Sequence, residues 1–503
     1  MDLAERIRRV IALDPEAEAI LFQNERYPWR YLSNAIHEFD TALLEQGIGE
    51  GASVGLIMRN RPWHAATLAA TLVTGRALVT LSPMFSDEAL ARDIETLGLH
   101  AVLGDEFDLA RVGVHDAAAS AGAMIIELIA DRDAPFRVVR PMSPASRGVL
   151  RPGIVLEMLS SGTTGIPKRI PLKLENLESS LAGDGAHAKS LADDALRLQS
   201  SPAVIWNPIV HISGAFFVID ALYSGRRFVL MERFDARAWS DFVEQEKVRV
   251  GQLNPTAMRM ILDADIAPER LSSLKVIRGG TSATPPELQI AFEDRYGVPV
   301  LTTYGATEFA GAIVGWSPDD HATYGRSHLG ASGRAQPGVE LRVVEPVSGN
   351  VLPFGDSGVL EVRTAQSSAD PQAWIRTSDL AVLDPEGFLW IQGRVDDVIV
   401  RGGFKVHAGK VAAALEEHDR VREAAVVGLP DQRLGQVPVA VVTTTSGAES
   451  LEASELIEFV KVRLAVYEVP ADIKIVDALP LTPSMKVSRP ALLALFAPVR
   501  SDS

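Results

Sequence analysis

The first third of the chain alternates between two kinds of hydrophobic pattern. The segment WRYLSNAIHEFDTALLEQG, which starts at Trp29, has apolar residues at helical spacing and ends at Gly47, a residue that commonly terminates helices. The short apolar runs ASVGLIM, ALVTLSP and HAVLGD are typical of buried strands. Helical and strand patterns in alternation predict an α/β architecture, in which mainly parallel sheets are flanked by helices.

A different pattern begins near Gly330. The segment GRAQPGVELRVVEPVSGNVLPFGDSGVLEVR has short β-type runs broken by Gly, Pro, Asn and Asp, which predicts antiparallel hairpins in a small β-barrel-like subdomain at about 330–394. A compact α+β pattern follows, from the helix KVAAALEEH to the strand DIKIVDALP. We therefore expect a large N-terminal domain of residues 1–395 and a small C-terminal domain of residues 396–503.

Composition and charge limit the classes of partner. The chain has 503 residues, and its 49 Lys and Arg against 65 Asp and Glu give a formal charge of 49 − 65 = −16, which argues against nucleic acid or an anionic membrane as a partner. The absence of cysteine excludes disulfides and thiol chemistry. The most apolar stretch is interrupted by Gly75 and Arg76, so it predicts a buried helix leading into a strand and not an integral membrane segment. We expect a cytoplasmic protein.

The stretch LSSGTTGIPKRIPL, from Leu159, carries the first candidate chemistry. Gly162 and Gly165 can bring backbone N–H groups close to a ligand, hydroxyls add further donors, and Lys168 adds a positive charge. This combination suits a polyphosphate, although the lysine spacing is not that of a Walker loop. A polar surface turn is the alternative interpretation of such a loop taken alone.

The full string resembles the phosphate-loop signature of the adenylate-forming superfamily, in its acyl- and aryl-CoA synthetase branch. Five further segments resemble signatures of that superfamily in the same order, which makes a chance resemblance very improbable. The resemblance covers about residues 20–495 and implies a large AMP-binding domain followed by a small mobile domain. The five segments are NPIVHISGAF, IRGGTSATPPE, TTYGATEFAG, WIRTSDLAVLDPEGFLWIQGRVDDVIVRGGFKV and PLTPSMKVSRP.

The resemblance implies a two-step reaction that uses ATP, Mg²⁺ and coenzyme A. AMP is first transferred to a carboxylate with release of pyrophosphate, and the acyl group then passes to the CoA thiol after the C-terminal domain rotates. Lys486 matches the lysine that bridges the two reacting anions, and Glu308 matches the glutamate associated with Mg²⁺. Thr307 would lie beside the α-phosphate. His211 would gate the acyl pocket, with a packing role as the equal alternative.

The resemblance also implies binding residues for the nucleotide, for the pantetheine of CoA and for the acyl group. Asp379 would accept hydrogen bonds from the ribose, Tyr304 would flank the adenine, and Asp396 matches the hinge. The further nucleotide and CoA residues are Ser160, Ser161, Gly162, Thr163, Thr164, Gly165, Lys168, Gly280, Thr281, Gly305, Arg394, Gly402 and Gly403. The predicted pocket residues are Asn207, Val210, Ser213, Gly311, Ala312 and Ile313.

The pocket residues are mostly small or apolar, which favours a hydrophobic carboxylate with an aryl, alicyclic or fatty body. The chain departs from the family pattern at Ser378, where glycine is usual, and at Lys410, where an acid is common. The change at Lys410 and a second one at Ser484-Met485, before the terminal lysine, lie in the mobile domain and leave an amine or a carrier protein open as the final acceptor. Arg401, Lys405 and Lys410 make CoA plausible. A noncatalytic nucleotide-binding protein is a further alternative. We expect a monomer or a homodimer.

Overall fold

The structure is a computed structural model that describes residues 1–159, 168–187, 196–280, 282–395, 398–402, 404–445, 451–482 and 487–497, with the backbone alone for 185–187 and 405. Its described part contains fifteen α-helices and twenty-five strands. The helices are α1 Leu3–Ile11, α2 Trp29–Leu44, α3 Pro62–Thr74, α4 Asp87–Thr96, α5 Glu106–Leu109, α6 Val114–Ala121, α7 Leu174–His187, α8 Ile212–Ser224, α9 Ala236–Glu246, α10 Pro255–Asp263, α11 Pro286–Tyr296, α12 Pro318–Tyr324, α13 Ala408–Glu416, α14 Ala453–Lys461 and α15 Arg489–Leu495.

The strands are short and run through the whole chain. They are β1 Glu18–Phe22, β2 Glu25–Pro28, β3 Ser53–Ile57, β4 Ala77–Leu81, β5 Ala101–Asp105, β6 Met124–Leu128, β7 Phe136–Arg140, β8 Ile154–Leu159, β9 Arg169–Lys173, β10 Gln199–Ile205, β11 Arg226–Leu230, β12 Val250–Leu253, β13 Val276–Gly279, β14 Val300–Ala306, β15 Gly311–Gly315, β16 Arg334–Ala335, β17 Val339–Val344, β18 Gly358–Thr364, β19 Ile375–Leu383, β20 Leu389–Arg394, β21 Val398–Arg401, β22 Phe404–His407, β23 Val421–Asp431, β24 Gly435–Thr444 and β25 Asp472–Ile475.

The chain divides into two compact units. The first unit comprises Met1–Glu340 and Arg363–Trp374, and the second comprises Leu341–Val362 and Ile375–Ser503. Most of the β-rich segment at about 330–394 therefore groups with the C-terminal part of the chain. The domain boundary near Val395 stays a prediction.

A seven-stranded sheet in the first unit has the order β7-β6-β5-β3-β4-β8-β9. Its five inner strands are parallel, and the two edge strands are antiparallel to their neighbours. Every residue of β3, β4, β5 and β6 is buried, as expected for parallel strands covered on both faces. The predicted buried strands and the α/β fold class are confirmed.

Two smaller sheets complete the first unit. Their orders are β10-β11-β1-β2 and β12-β13-β14-β15-β16. In the second of these, β12, β13 and β14 are parallel, while β15 and β16 are antiparallel. The direction changes at the β14–β15 hairpin, which contains the segment TTYGATEFAG.

The apolar stretch around Gly75 folds as the sequence predicts. Helix α3 is buried at every position except Thr74, and Gly75 ends it with φ +71° before β4 begins. Arg76 is fully buried, pairs with Asp40 at 2.6 Å and donates to the carbonyl of Ile48. No helix in the described ranges has both the length and the apolar character needed to span a membrane.

The second unit contains two sheets. The antiparallel sheet β17-β18-β19-β20 confirms the predicted hairpins. The second sheet has the order β22-β21-β24-β23, and β25 pairs in parallel with β24. Helices α13 and α14 contribute Val411, Leu415, Leu456 and Val460 to the core against this sheet, which confirms the α+β pattern.

Candidate active site

Part of the predicted site lies outside the described residues. This part comprises the phosphate loop, one residue after the Gly-Gly turn, the hinge, one loop glycine and the terminal lysine. Their roles stay predictions. The residues are Ser160, Ser161, Gly162, Thr163, Thr164, Gly165, Thr281, Asp396, Gly403 and Lys486.

The described strands on either side of the phosphate loop form a hairpin. Leu159, the last residue of β8, pairs with Arg169, the first residue of β9. The Arg169 guanidinium donates to Asp93 at 2.6 Å and to the carbonyl of Thr80 at 3.1 Å, so its charge is used within the fold. Lys168 is exposed. Of these two adjacent cations, Lys168 is therefore the one available to an anionic ligand.

The β14–β15 hairpin positions the Tyr304–Glu308 segment. Tyr304 pairs with Val314 and Gly305 with Ala312, with a register shift between the two pairs. A Cβ atom on Gly305 would lie 2.0 Å from the carbonyl oxygen of Gly311. Only glycine allows this approach, so the backbone beside Tyr304 stays open where the predicted nucleotide would bind.

Thr307 and Glu308 begin a short 3₁₀ turn, Thr307–Phe309, that directly follows β14. Both side chains are partly buried, and neither makes a hydrogen bond or ion pair with any residue that the structure describes. The backbone, in contrast, is fixed: the amide of Ser368 donates to the carbonyl of Glu308 at 2.9 Å. An unpaired carboxylate on a fixed turn fits a Mg²⁺ ligand, since Mg²⁺ prefers carboxylate and phosphate oxygens.

A polar segment that the sequence analysis missed holds this turn from behind. Gln366 is 2% exposed, and its side-chain amide is assigned the orientation in which the nitrogen faces two acceptors, so that it donates to the carbonyls of Phe309 and Ala312, both at 3.1 Å. Asn176 donates to the carbonyl of Ser367 at 2.7 Å. These bonds join α7 and the segment after β18 to the turn. Nothing in the local sequence pattern signals them.

The His211 segment is organised by another missed residue, Asn60. Its side-chain amide donates to the carbonyls of Trp206 and Asn207 at 3.1 and 3.0 Å and accepts from the amide of Ile209 at 2.8 Å. His211 follows as the N-cap residue of α8 in an extended conformation, and it is partly buried. The histidine is thus presented from a rigid loop at a helix start.

The predicted pocket residues come from two elements of the first unit that lie together. Asn207, Val210 and Ser213 lie before or in the first turn of α8, and Gly311, Ala312 and Ile313 open β15. A Cβ atom on Gly311 would lie 3.4 Å from the ring of Phe216 on α8. Ile313 is fully buried, whereas Gly311 and Ala312 are partly exposed.

Asp379 and Arg394 are cross-strand partners in the second unit. Their nearest charged atoms, Oδ1 and Nε, are 3.8 Å apart. The guanidinium also donates to the hydroxyl of Ser378, whereas its Nε atom is buried and has no hydrogen-bond partner among the described atoms. An acceptor beside an unsatisfied donor fits a polyhydroxyl ligand such as ribose. Ser378, where glycine was expected, takes part in this arrangement.

Two of the cations expected to favour CoA form internal contacts in the second unit. Arg401 donates to the carbonyls of Tyr467 and Val469 at 3.1 and 3.0 Å. Lys410 donates to both carboxylate oxygens of Glu468 at 2.7 and 2.8 Å. Burial would raise the pKa of Glu468, but hydrogen bonds from Lys410 and from a backbone amide outweigh it and lower that pKa. The Lys410 charge is therefore neutralised within the fold.

Gly402, between β21 and β22, has φ +57°, and its amide donates to the carbonyl of Leu434 at 2.8 Å. A residue with a side chain would be strained there. Position 402 therefore requires glycine, whether or not it lines a ligand channel. Its role in binding pantetheine stays a prediction.

Comparison with known proteins identifies the family of the chain. The AMP-binding enzyme family model matches residues 7–369, and the AMP-binding enzyme C-terminal domain model matches residues 410–486. The indoleacetate–CoA ligase of Aromatoleum aromaticum is 28% identical over 99% of this chain and 98% of its own length. The 3-[(3aS,4S,7aS)-7a-methyl-1,5-dioxo-octahydro-1H-inden-4-yl]propanoyl:CoA ligase of Rhodococcus jostii is 33% identical over 67% of this chain and 64% of its own.

Among solved structures, the amide bond synthetase McbA from Marinactinospora thermotolerans is 26% identical, with a TM-score of 0.80 over 98% of this chain and 100% of that one. The fold and the two family models thus define an adenylate-forming enzyme. The chain belongs to the AMP-binding enzyme family, in its acyl- and aryl-CoA synthetase branch. The predicted family and the enzyme class of AMP-forming acid–thiol ligase, with its use of ATP and CoA, are confirmed. The use of Mg²⁺ stays a prediction.

Proposed function

We propose that this enzyme is an ATP-dependent ligase that joins a hydrophobic carboxylic acid, with an aryl, alicyclic or fatty body, to coenzyme A. It activates the acid as an acyl-adenylate with release of pyrophosphate, and it transfers the acyl group to the CoA thiol after the C-terminal domain rotates. The Thr307–Glu308 turn carries the proposal, because it presents a carboxylate with no partner among the described residues, from a backbone fixed by Ser368 and Gln366. The two CoA ligase relatives support it with substrates that have indole and fused-ring bodies.

Four described residues have a chemical task in this proposal, together with Lys486, which lies outside the described residues. Mg²⁺, when bound, supplies positive charge that offsets the repulsion between a phosphate and a carboxylate. Glu308 would hold that ion, and Thr307 would donate a hydrogen bond to a phosphate oxygen. Asp379 would accept hydrogen bonds from ribose hydroxyls, while Arg394, its partner on the adjacent strand, would contact the same ligand with its guanidinium. Lys486 neutralises both reacting anions.

An amine is the second candidate for the acyl acceptor. The similarity to the amide bond synthetase McbA favours it, as does the use of the Lys410 charge within the fold. A carrier protein is a related alternative. Both keep the adenylation step and change only the nucleophile, so they leave the tasks of Glu308, Asp379 and Arg394 unchanged.

The test is a set of reactions of the purified chain with ATP, Mg²⁺ and a panel of aryl, alicyclic, fatty and short polar acids. Each acid is supplied alone, with CoA or with an amine, and pyrophosphate and product masses are measured. We expect pyrophosphate release with hydrophobic acids and a thioester mass with CoA. An amide mass without a thioester would establish the amine acceptor, and no pyrophosphate with any acid would refute the ligase.

Variants connect the activity to the site. We expect Glu308→Gln to lower kcat for pyrophosphate release by about 100-fold or more, because a neutral amide is a poor Mg²⁺ ligand. Glu287→Gln is the matched control, since Glu287 is exposed in the first turn of α11. Equal activity of the two variants would contradict the role given to Glu308.

A further inference from the structure

Helix α7 carries a buried hydroxyl group beside the predicted acyl pocket. Ser180 is fully buried, and its hydroxyl has no hydrogen-bond partner within the described ranges. A Cβ atom on Gly311, a predicted pocket residue, would lie 2.8 Å from that hydroxyl oxygen. Because buried polar groups nearly always have partners, this hydroxyl points to a ligand that completes it.

The next turn of the same face carries an ion pair. Asp184, four residues after Ser180, accepts from both terminal nitrogens of Arg278 at 2.6 and 2.8 Å. Arg278 lies on β13, one residue before the Gly279–Gly280 turn. The pair is bidentate, so the charge of Arg278 is already matched and is a weak attractor for a second anion.

Asp220 supplies an unmatched acceptor in the same neighbourhood. It lies on α8 seven residues after Ser213, which places both on one face of that helix. It makes no hydrogen bond or ion pair with any residue in the described part of the chain. Burial and the nearby charge of Asp184 raise its pKa to about 6, against the opposing charges of Arg278 and Arg226. At neutral pH it is an ionised acceptor near the charges of Arg278 and Arg226, and no side chain in the described ranges donates a hydrogen bond to it.

We propose that Ser180 and Asp220 form a polar end of the acyl pocket that selects acids carrying a hydrogen-bond donor, a hydroxyl or an amino group, at the end remote from the reacting carboxylate. This inference rests on the proposed ligase function and narrows its substrate class. A wholly apolar acid leaves both groups unsatisfied. A second carboxylate is repelled by Asp220, because Arg278 is already paired.

The experiment compares acids of equal length and one body that end in methyl, hydroxyl, amino or carboxylate. Pyrophosphate release is measured with ATP and Mg²⁺ at pH 7.5. We expect kcat/KM for the hydroxyl- or amino-ended acid to exceed that for the methyl-ended acid by about 10- to 100-fold, and the carboxylate-ended acid to be poorest. A higher kcat/KM for the hydroxyl-ended acid than for the amino-ended acid identifies a neutral donor, and the reverse order identifies a cationic donor.

Variants separate recognition from folding. Asp220→Leu should invert the preference toward the methyl-ended acid, and Ser180→Ala should lower kcat/KM for the donor-bearing acid several-fold while sparing the methyl-ended one. Ser179→Ala, at the neighbouring partly buried serine, is the control. If Asp220→Leu does not fold, Asp220→Asn serves, because it keeps an acceptor oxygen and should lose only the preference for an amino group.

The outcomes distinguish a failure of this inference from a failure of the proposed ligase function. Release of pyrophosphate with all four acids at equal kcat/KM, or a preference that survives both substitutions, would overturn this inference and leave the ligase function intact. Absence of pyrophosphate with every acid would overturn the ligase function itself.

Discussion

Replacing Gln366 by methionine removes the two hydrogen bonds that fix the Thr307–Glu308 turn from behind. The side chain is 2% exposed, and its amide nitrogen is 3.1 Å from each of the carbonyl oxygens of Phe309 and Ala312. Methionine has a similar volume and no donor, so both carbonyls lose this hydrogen bond. Each lost hydrogen bond costs about 0.5–1.5 kcal/mol, which gives about 1–3 kcal/mol for the pair.

Part of that cost is relieved by movement of the turn, and this movement displaces Glu308. If this displacement raises the activation free energy of adenylation by about 1.4–2.8 kcal/mol, kcat falls about 10- to 100-fold. The assay is acid-dependent pyrophosphate release, measured well below the melting temperature of the variant. Because Glu308 is the proposed Mg²⁺ ligand, the Mg²⁺ concentration for half-maximal rate should rise as well.

Gln372→Met is the matched control, since Gln372 is exposed six residues further along the same segment. It should change neither kcat nor the Mg²⁺ requirement. A Gln366→Met enzyme with a lower melting temperature but an unchanged kcat and an unchanged Mg²⁺ requirement would show that the residue acts only on stability, and the positioning argument would be refuted.

Three further predictions concern other residues. Asp220→Asn should raise the free energy of unfolding at pH 8 by up to about 3 kcal/mol. The pKa of Asp220 is about 6 in the folded protein against an ordinary 3.8, so its ionised carboxylate destabilises the folded wild-type protein once the pH rises through 6. Urea unfolding should show the gain vanish near pH 4, where this carboxyl group is protonated in the folded protein. Ser378→Gly removes an acceptor of Arg394, so KM for ATP should rise about 5-fold, and an unchanged KM would count against it. Lys410→Met should lower the free energy of unfolding by about 1–2 kcal/mol, with partial recovery on adding Glu468→Gln; no recovery in that double mutant would contradict the pairing.

Local sequence patterns were enough to predict much of the fold. Short apolar runs predicted the strands β3, β4 and β5, because a strand that is buried on both faces needs a continuous apolar sequence. Gly75 predicted the end of the buried helix α3, because a left-handed helix end favours glycine. Asp379 and Arg394 were found through motifs, and the structure pairs them across adjacent strands.

The supporting residues could not be found in this way. Asn60 bonds to Asn207 across 147 positions, and Asn176 bonds to Ser367 across 191. Their partners are backbone carbonyls, which carry no side-chain identity and therefore leave no sequence signal. Lys410 shows the converse: its charge suggested an anionic ligand, but the fold brings Glu468 to it from 58 positions away.

The most direct measurement follows oxygen from the acid to the nucleotide. A hydrophobic acid labelled with ¹⁸O in its carboxylate is converted with ATP, Mg²⁺ and CoA, and the masses of AMP, pyrophosphate and inorganic phosphate are determined. Attack of the carboxylate on the α-phosphorus, followed by thioester formation, predicts one ¹⁸O atom in AMP and none in pyrophosphate. Unlabelled AMP, or label in inorganic phosphate, would contradict an acyl-adenylate and with it the account of this site.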